Sequence, residues 1–161
     1  MALRTILTEE EETLRRVSRK VEKFDERLHV LLDDMRETLA AANGVGLAAP
    51  QVGVLRRAVL VDTGEQVLEL INPEILETSG EQDGPEGCLG IPGRYGMVKR
   101  PMTVKIRAQD RNGNWFEATG EGLTARAFCH ETEHLDGILY TQRAYKMLTD
   151  AEVEAYYEEH Q

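Results

Sequence analysis

The chain has 161 residues, 41% of them apolar, and 29 Asp+Glu against 19 Lys+Arg give a net charge of −10. That length and apolar content suit one ordinary globular domain and argue against disorder, while the negative balance disfavours nucleic acid as a partner, because phosphate contacts need Lys and Arg. No run approaches the ~20 apolar residues of a membrane span, Met1 to Glu12 carries no apolar signal core, and two cysteines are too few to staple such a domain, so the expected setting is a reducing cytoplasm.

In chain order, the acidic run Glu9 to Glu12 reads as a solvated face or the first turn of a short helix. Asp25 is a plausible N-cap. Leu28, Leu31, Leu32, Met35, Leu39 and Ala42 follow at helical spacing, and Asn43-Gly44 ends the pattern, so a core-packing helix is expected over 25–42. Arg57 to Val61 and Val67 to Asn72 read as short strands around Asp62-Thr63-Gly64. Ser79 to Tyr95, with Gly80, Gly84, Gly87, Gly90 and Gly93, reads as a long functional loop. Met102 to Ala108 and Trp115 to Ala118 flank the turn Asp110-Arg111-Asn112-Gly113 and predict a hairpin. A second helix is expected from Thr124 to Asp136, stopped at Gly137, and a third from Thr149, where Glu152 completes a capping box. Helix, strands, then helices give an α+β class, with mostly antiparallel strands around the second helix. The chain is expected to form a single domain over 1–161, ending in an acidic helix over 149–161.

The sharpest chemical signal is His130-Glu131-Thr132-Glu133-His134. Residues four apart on a helix stand about 40° apart around its axis, so both imidazoles can reach one ion. A bound divalent ion lowers the pKa of water toward ~7. Glu131 and Glu133 each lie about 80° to one side of the histidine pair, and spacing alone does not say which is a general base. A catalytic ion usually takes three protein ligands. In one branch of the zinc metallopeptidases a third histidine follows at the position held here by Tyr140. His29 and His160 read as surface or capping residues, Cys129 points about 120° from the metal face, and Cys88 sits between glycines where a thiolate can approach an ion.

Three segments then appear in order: Gly44-Val45-Gly46-Leu47-Ala48-Ala49-Pro50-Gln51, Glu86-Gly87-Cys88-Leu89, and His130-Glu131-x-x-His134-Leu135-x-Gly137. As a set they resemble the three signature motifs of the peptide deformylases, over about Val21 to Tyr140. The resemblance implies removal of the formyl group from N-formylmethionine on new polypeptides, with release of formate. It implies Cys88, His130 and His134 as metal ligands and Glu131 as general acid and base. Gln51 and the Leu89 N–H would hold the formyl oxygen as it gains charge. Gly46 would pair with the substrate backbone, Gly87 would adjoin it, and Val45, Leu123 and Ala127 would wall a methionine pocket. Iron(II) is the ion usual in the family, with zinc, nickel or cobalt as substitutes.

The chain departs from the family pattern in three places. Gly90 follows Leu89 where serine is usual, which is expected to loosen that loop. Cys129 replaces a glutamine before His130, and Glu133 replaces an aspartate before His134, keeping a carboxylate for an outer partner. These changes leave open a divergent relative with another N-acyl substrate, or a non-catalytic metal-binding protein. A basic C-terminal helix docks some family members on ribosomes. Here Thr149 to Gln161 has no Lys or Arg, so weak or no docking on ribosomal RNA is expected.

Overall fold

The computed structural model describes residues 2–160. Helix α1 spans Glu26–Ala42. The Asp25 carboxylate accepts from the Leu28 N–H at 3.2 Å, capping its first turn. Asn43, in the left-handed region at φ 53°, ends it. Leu28, Leu31, Leu32, Met35 and Leu39 are buried as their spacing predicts. Asp34 and Thr38 are buried as well, because the segment around Ala2 and Arg4 lies across this helix and bonds to both side chains.

Eight strands form two antiparallel sheets among the described residues. The larger contains β1 (Gly46–Ala48), β2 (Ala58–Asp62), β3 (Val67–Ser79), β6 (Thr103–Gln109) and β7 (Trp115–Glu121), in that spatial order. The smaller contains β4 (Gln82–Cys88), β5 (Ile91–Arg100) and β8 (Lys146–Leu148). Helix α2 spans Leu123–Leu135 and α3 spans Asp150–Glu159. No helix is long and apolar enough to cross a membrane.

The larger sheet lies between α1 and α2. Successive side chains on a strand face opposite ways, and β2 shows the result. Val59 and Val61 pack with Phe128 and Leu135 of α2. Ala58 and Leu60 pack with Leu31, Leu32 and Met35 of α1. Each face therefore seats one helix on the sheet by apolar burial, the main favourable contribution to such packing.

Two expectations are corrected. Ser79 to Tyr95 is not a long loop: residues 82–88 and 91–95 belong to the β4–β5 hairpin, with Cys88 paired to Ile91 across its turn. Of the glycines that hid the strand pattern, Gly84, Gly87 and Gly90 serve close packing, whereas Gly93 takes φ 76° in open space. A Cβ on Gly87 would lie 2.7 Å from the Tyr95 ring. β3 also runs seven residues past Asn72. Asn72-Pro73 looks like a stop, but Asn72 sits at φ 51° beside a register shift, forming a bulge. Its side chain donates to the Val21 and Gln109 oxygens and accepts from the Val21 N–H, which holds the bulge in place.

Candidate active site

Helix α2 carries His130, Glu131 and His134 into the centre of the molecule, and the β4–β5 hairpin brings Cys88 to them. The Cys88 Sγ stands 3.5 Å from His134 Nε2, and the two Nε2 atoms stand 3.2 Å apart. One ligand atom from each of Cys88, His130 and His134 lies within 4.8 Å of the others. Two imidazole nitrogens and a sulfur facing one point in a buried setting are a donor set suited to a divalent ion. His134 Nδ1 is buried with no hydrogen-bond partner among the described residues. Burial and the neighbouring His130 push the His134 pKa well below its ordinary value, favouring the neutral form that ligates.

His130 is oriented from behind. Its Nδ1 lies 2.8 Å from Glu86 Oε1, which leaves Nε2 facing the cluster. Burial opposes a charge on this imidazole, but Cys88 and Glu86 beside it outweigh burial and raise its pKa. Glu86 is itself clamped: Arg100 donates to both its oxygens at 2.8 and 3.0 Å, and Arg126 donates at 2.7 Å. Burial raises the Glu86 pKa, yet the hydrogen bonds from His130 and Arg100 prevail and hold it near 2. The Tyr140 ring stacks on His130 at 5.9 Å, and its hydroxyl donates to the Arg94 carbonyl. Tyr140 thus supports a ligand candidate from the position where the metallopeptidase pattern puts a histidine. Arg100 and Arg126 are functional residues that the motifs do not include, and Tyr140, absent from them as a ligand, serves instead as a stacking support. Arg126 carries a positional signal, four residues before His130 on the same helix, whereas Arg100 carries none.

The two glutamates of the pentapeptide separate cleanly. Both Glu133 oxygens are taken by arginines, Arg100 at 2.6 Å and Arg143 at 2.7 Å. Glu131 Oε1 is buried with no hydrogen-bond partner among the described residues, and burial pushes the carboxyl up to about 7. The Glu131 carboxylate lies where a side chain at position 46 would be, since a Cβ on Gly46 would stand 2.5 Å from its Oε2.

These groups open on a cleft of about 460 Å³. Gln51 lines it; its Oε1 accepts from the Ala48 N–H at 2.8 Å, which turns its amide nitrogen toward Cys88 Sγ at 3.3 Å. Val45, Gly46, Gly87, Leu89, Leu123 and Ala127 line the same cleft. His134 lies behind it, fully buried. Cys129 faces the apolar core instead, where burial pushes its thiol up. Gly90 does not loosen the hairpin turn. It is buried under the Leu7 backbone, its carbonyl accepts from the Glu9 N–H at 3.1 Å, and the Leu7 N–H donates to the Gln51 carbonyl at 2.8 Å. His29 bonds the Arg111 carbonyl and His160 stacks on Tyr156, so neither joins the cluster.

The sequence profile described as Polypeptide deformylase matches residues 3–149. The chain belongs to that family. It is 54% identical over 154 residues to the peptide deformylase of Caldicellulosiruptor bescii, covering 96% of this chain and 93% of the relative. It is likewise 54% identical over 154 residues to that of Acetivibrio thermocellus, covering 96% and 91%. The crystal structure of a peptide deformylase from Legionella pneumophila superposes with a TM-score of 0.86 at 40% identity, over 98% of this chain and 92% of that one. That of Thermotoga maritima gives 0.87 at 37% identity, over 89% and 99%. The chain is therefore a peptide deformylase-family hydrolase acting on formylated nascent peptides, and a divalent metal is the cofactor the family implies.

Proposed function

We propose that Cys88, His130 and His134 hold the ion, that Glu131 moves the proton, and that Gln51 with the Leu89 N–H steadies the formyl oxygen. The observation that carries this reading is the convergence of the three ligand candidates within 4.8 Å, beside a buried Glu131 whose Oε1 has no hydrogen-bond partner among the described residues. A divalent ion held there lowers the pKa of water and polarises a carbonyl. The residues supply the rest. Glu131 takes a proton from the attacking water and returns it to the leaving amine, a task suited to a carboxyl whose pKa lies near neutrality. The Gln51 amide, fixed by Ala48, donates to the oxygen as it gains charge; loss of such a donor typically costs ~10² to 10³ in rate.

Position in the sheets supports a substrate path. β1 and β4 are both edge strands, and both line the cleft through Gly46 and Gly87. An extended peptide can hydrogen-bond to such an edge, and glycine leaves room for it. Val45, Leu123 and Ala127 are the apolar wall proposed for the methionine side chain. Iron(II) is the proposed native ion, with zinc, nickel or cobalt able to occupy the same donors. The proposed setting is cytoplasmic. The acidic α3, without Lys or Arg, is proposed to dock weakly or not at all on ribosomal RNA.

Formate release from formyl-Met-Ala-Ser by anaerobically purified, iron- or nickel-loaded protein tests this reading. Turnover is expected, and turnover no greater than that of Glu131→Ala would overturn it. Retention of the bound ion in Cys88→Ala would remove the ligand assignment.

A further inference from the structure

Helix α3 lies outside the segment shared with the family profile, which ends at residue 149. None of its residues is buried, so it adds nothing to the core. It is nonetheless firmly placed. The Thr149 hydroxyl and Glu152 carboxylate cap it reciprocally, and Lys146 of β8 pairs with Glu152. β8 is in turn hydrogen-bonded to β5, with Tyr95 opposite Leu148, the residue before the cap. The start of α3 is thereby tied to the strand that lines the cleft.

Two neighbouring tyrosines on α3 face different surroundings. Tyr156 leans on the smaller sheet, where a Cβ on Gly84 would lie 3.3 Å from its hydroxyl. It also stacks on His160 at 3.9 Å. Tyr157 meets Tyr156 edge-on at 5.7 Å and lines the cleft together with Leu123, Ala127 and Tyr95. Leu123 is 62% exposed, Tyr157 48% and Tyr95 36%. An apolar rim this open, continuous with a catalytic cleft, awaits an apolar ligand group.

We propose that Tyr157 is a specificity-determining residue, forming the outer wall of the pocket for a long apolar side chain on the formylated residue. The inference rests on the deformylase reading of the cleft. A short side chain on that residue stops at Leu123 and Ala127; a long one reaches the tyrosine ring.

The test compares Tyr157→Ala with the parent enzyme on formyl-Met-Ala-Ser and formyl-Ala-Ala-Ser. KM for the methionine peptide is expected to rise about five-fold, with little change for the alanine peptide, kcat nearly constant and the melting temperature unchanged. Tyr157→Phe should restore the parent KM. Equal effects on both peptides, or none, would overturn the proposal. Calorimetric binding of formyl-Met-Ala-Ser to metal-loaded Glu131→Gln protein, with and without Tyr157→Ala, measures the same contact without turnover. Failure of the parent enzyme to release formate would defeat the reading of the cleft, whereas unchanged binding there defeats only the role of Tyr157.

Discussion

The carbonyl oxygen of Leu7 lies 2.6 Å from the place where a Cβ on Gly90 would stand. The N-terminal segment crosses the site's outer side at this point and bonds to both Gln51 and Gly90 through its backbone. Glycine at position 90 permits that crossing. Gly90→Ser, which installs the residue usual in the family, should therefore push Leu7 away. A loss of about 1–3 kcal/mol is expected, as for overpacking elsewhere, together with a lower kcat as the Gln51 turn loses its tether. Urea denaturation and steady-state kinetics check both effects.

Gly46 and Glu131 compete for one space. Gly46→Ala should leave the fold intact and displace the carboxylate, because its Cβ would fall 2.5 Å from Oε2. Displacing a general base costs ~10² to 10⁴ in rate. The check is kcat/KM alongside an unchanged melting temperature.

Glu86 serves Arg100, Arg126 and His130 at once. Glu86→Ala should destabilise the protein by about 3–5 kcal/mol, since buried Arg126 loses its carboxylate partner and Arg100 keeps only Glu133. It should also weaken metal retention ~10- to 100-fold through the unanchored imidazole. Glu86→Gln keeps an acceptor for His130 Nδ1 and should retain the ion better than the alanine variant. Denaturant titration and competition with a chelator separate the two effects.

Acid should loosen the N-terminal segment. The hydrogen bond from the Ala2 N–H, followed by Arg4, holds the Asp34 carboxyl below its ordinary value against the opposing effect of burial. A depressed folded-state pKa gives stability that is present above the unfolded value of about 4 and lost as pH falls through the folded one. The parent protein should therefore lose stability below about pH 4. Asp34→Asn should be less stable at neutral pH and lose less over that acidic window, as measured by thermal melts across pH.

Periodicity and a recognisable stop made α1 and the β6–β7 hairpin legible in the sequence, the Gly137 stop placed α2, and the Thr149–Glu152 capping box placed the start of α3. The β4–β5 hairpin was not legible. Its glycines and prolines obscure the alternation, and its shape is set by packing: Tyr95 over Gly87 within the hairpin, and from far along the chain Arg126 beside Gly84 and Leu7 over Gly90. The pentapeptide gave a metal face but no choice between Glu131 and Glu133. The structure distinguishes their surroundings, since Arg100 and Arg143 occupy Glu133 from positions no helical spacing relates to it.

The placement of the candidate ligands ties metallation to the order of folding. His130 and His134 are four residues apart and meet as soon as α2 forms, whereas Cys88 lies 46 residues from His134 and arrives only when the β4–β5 hairpin docks. Closing that longer stretch of chain costs more entropy and comes later. Before that docking the two imidazoles are a pre-arranged pair, while Cys88 is a thiol not yet positioned beside them. With the ligands as proposed, the preference that sulfur confers among cations belongs to the assembled site and not to α2 alone.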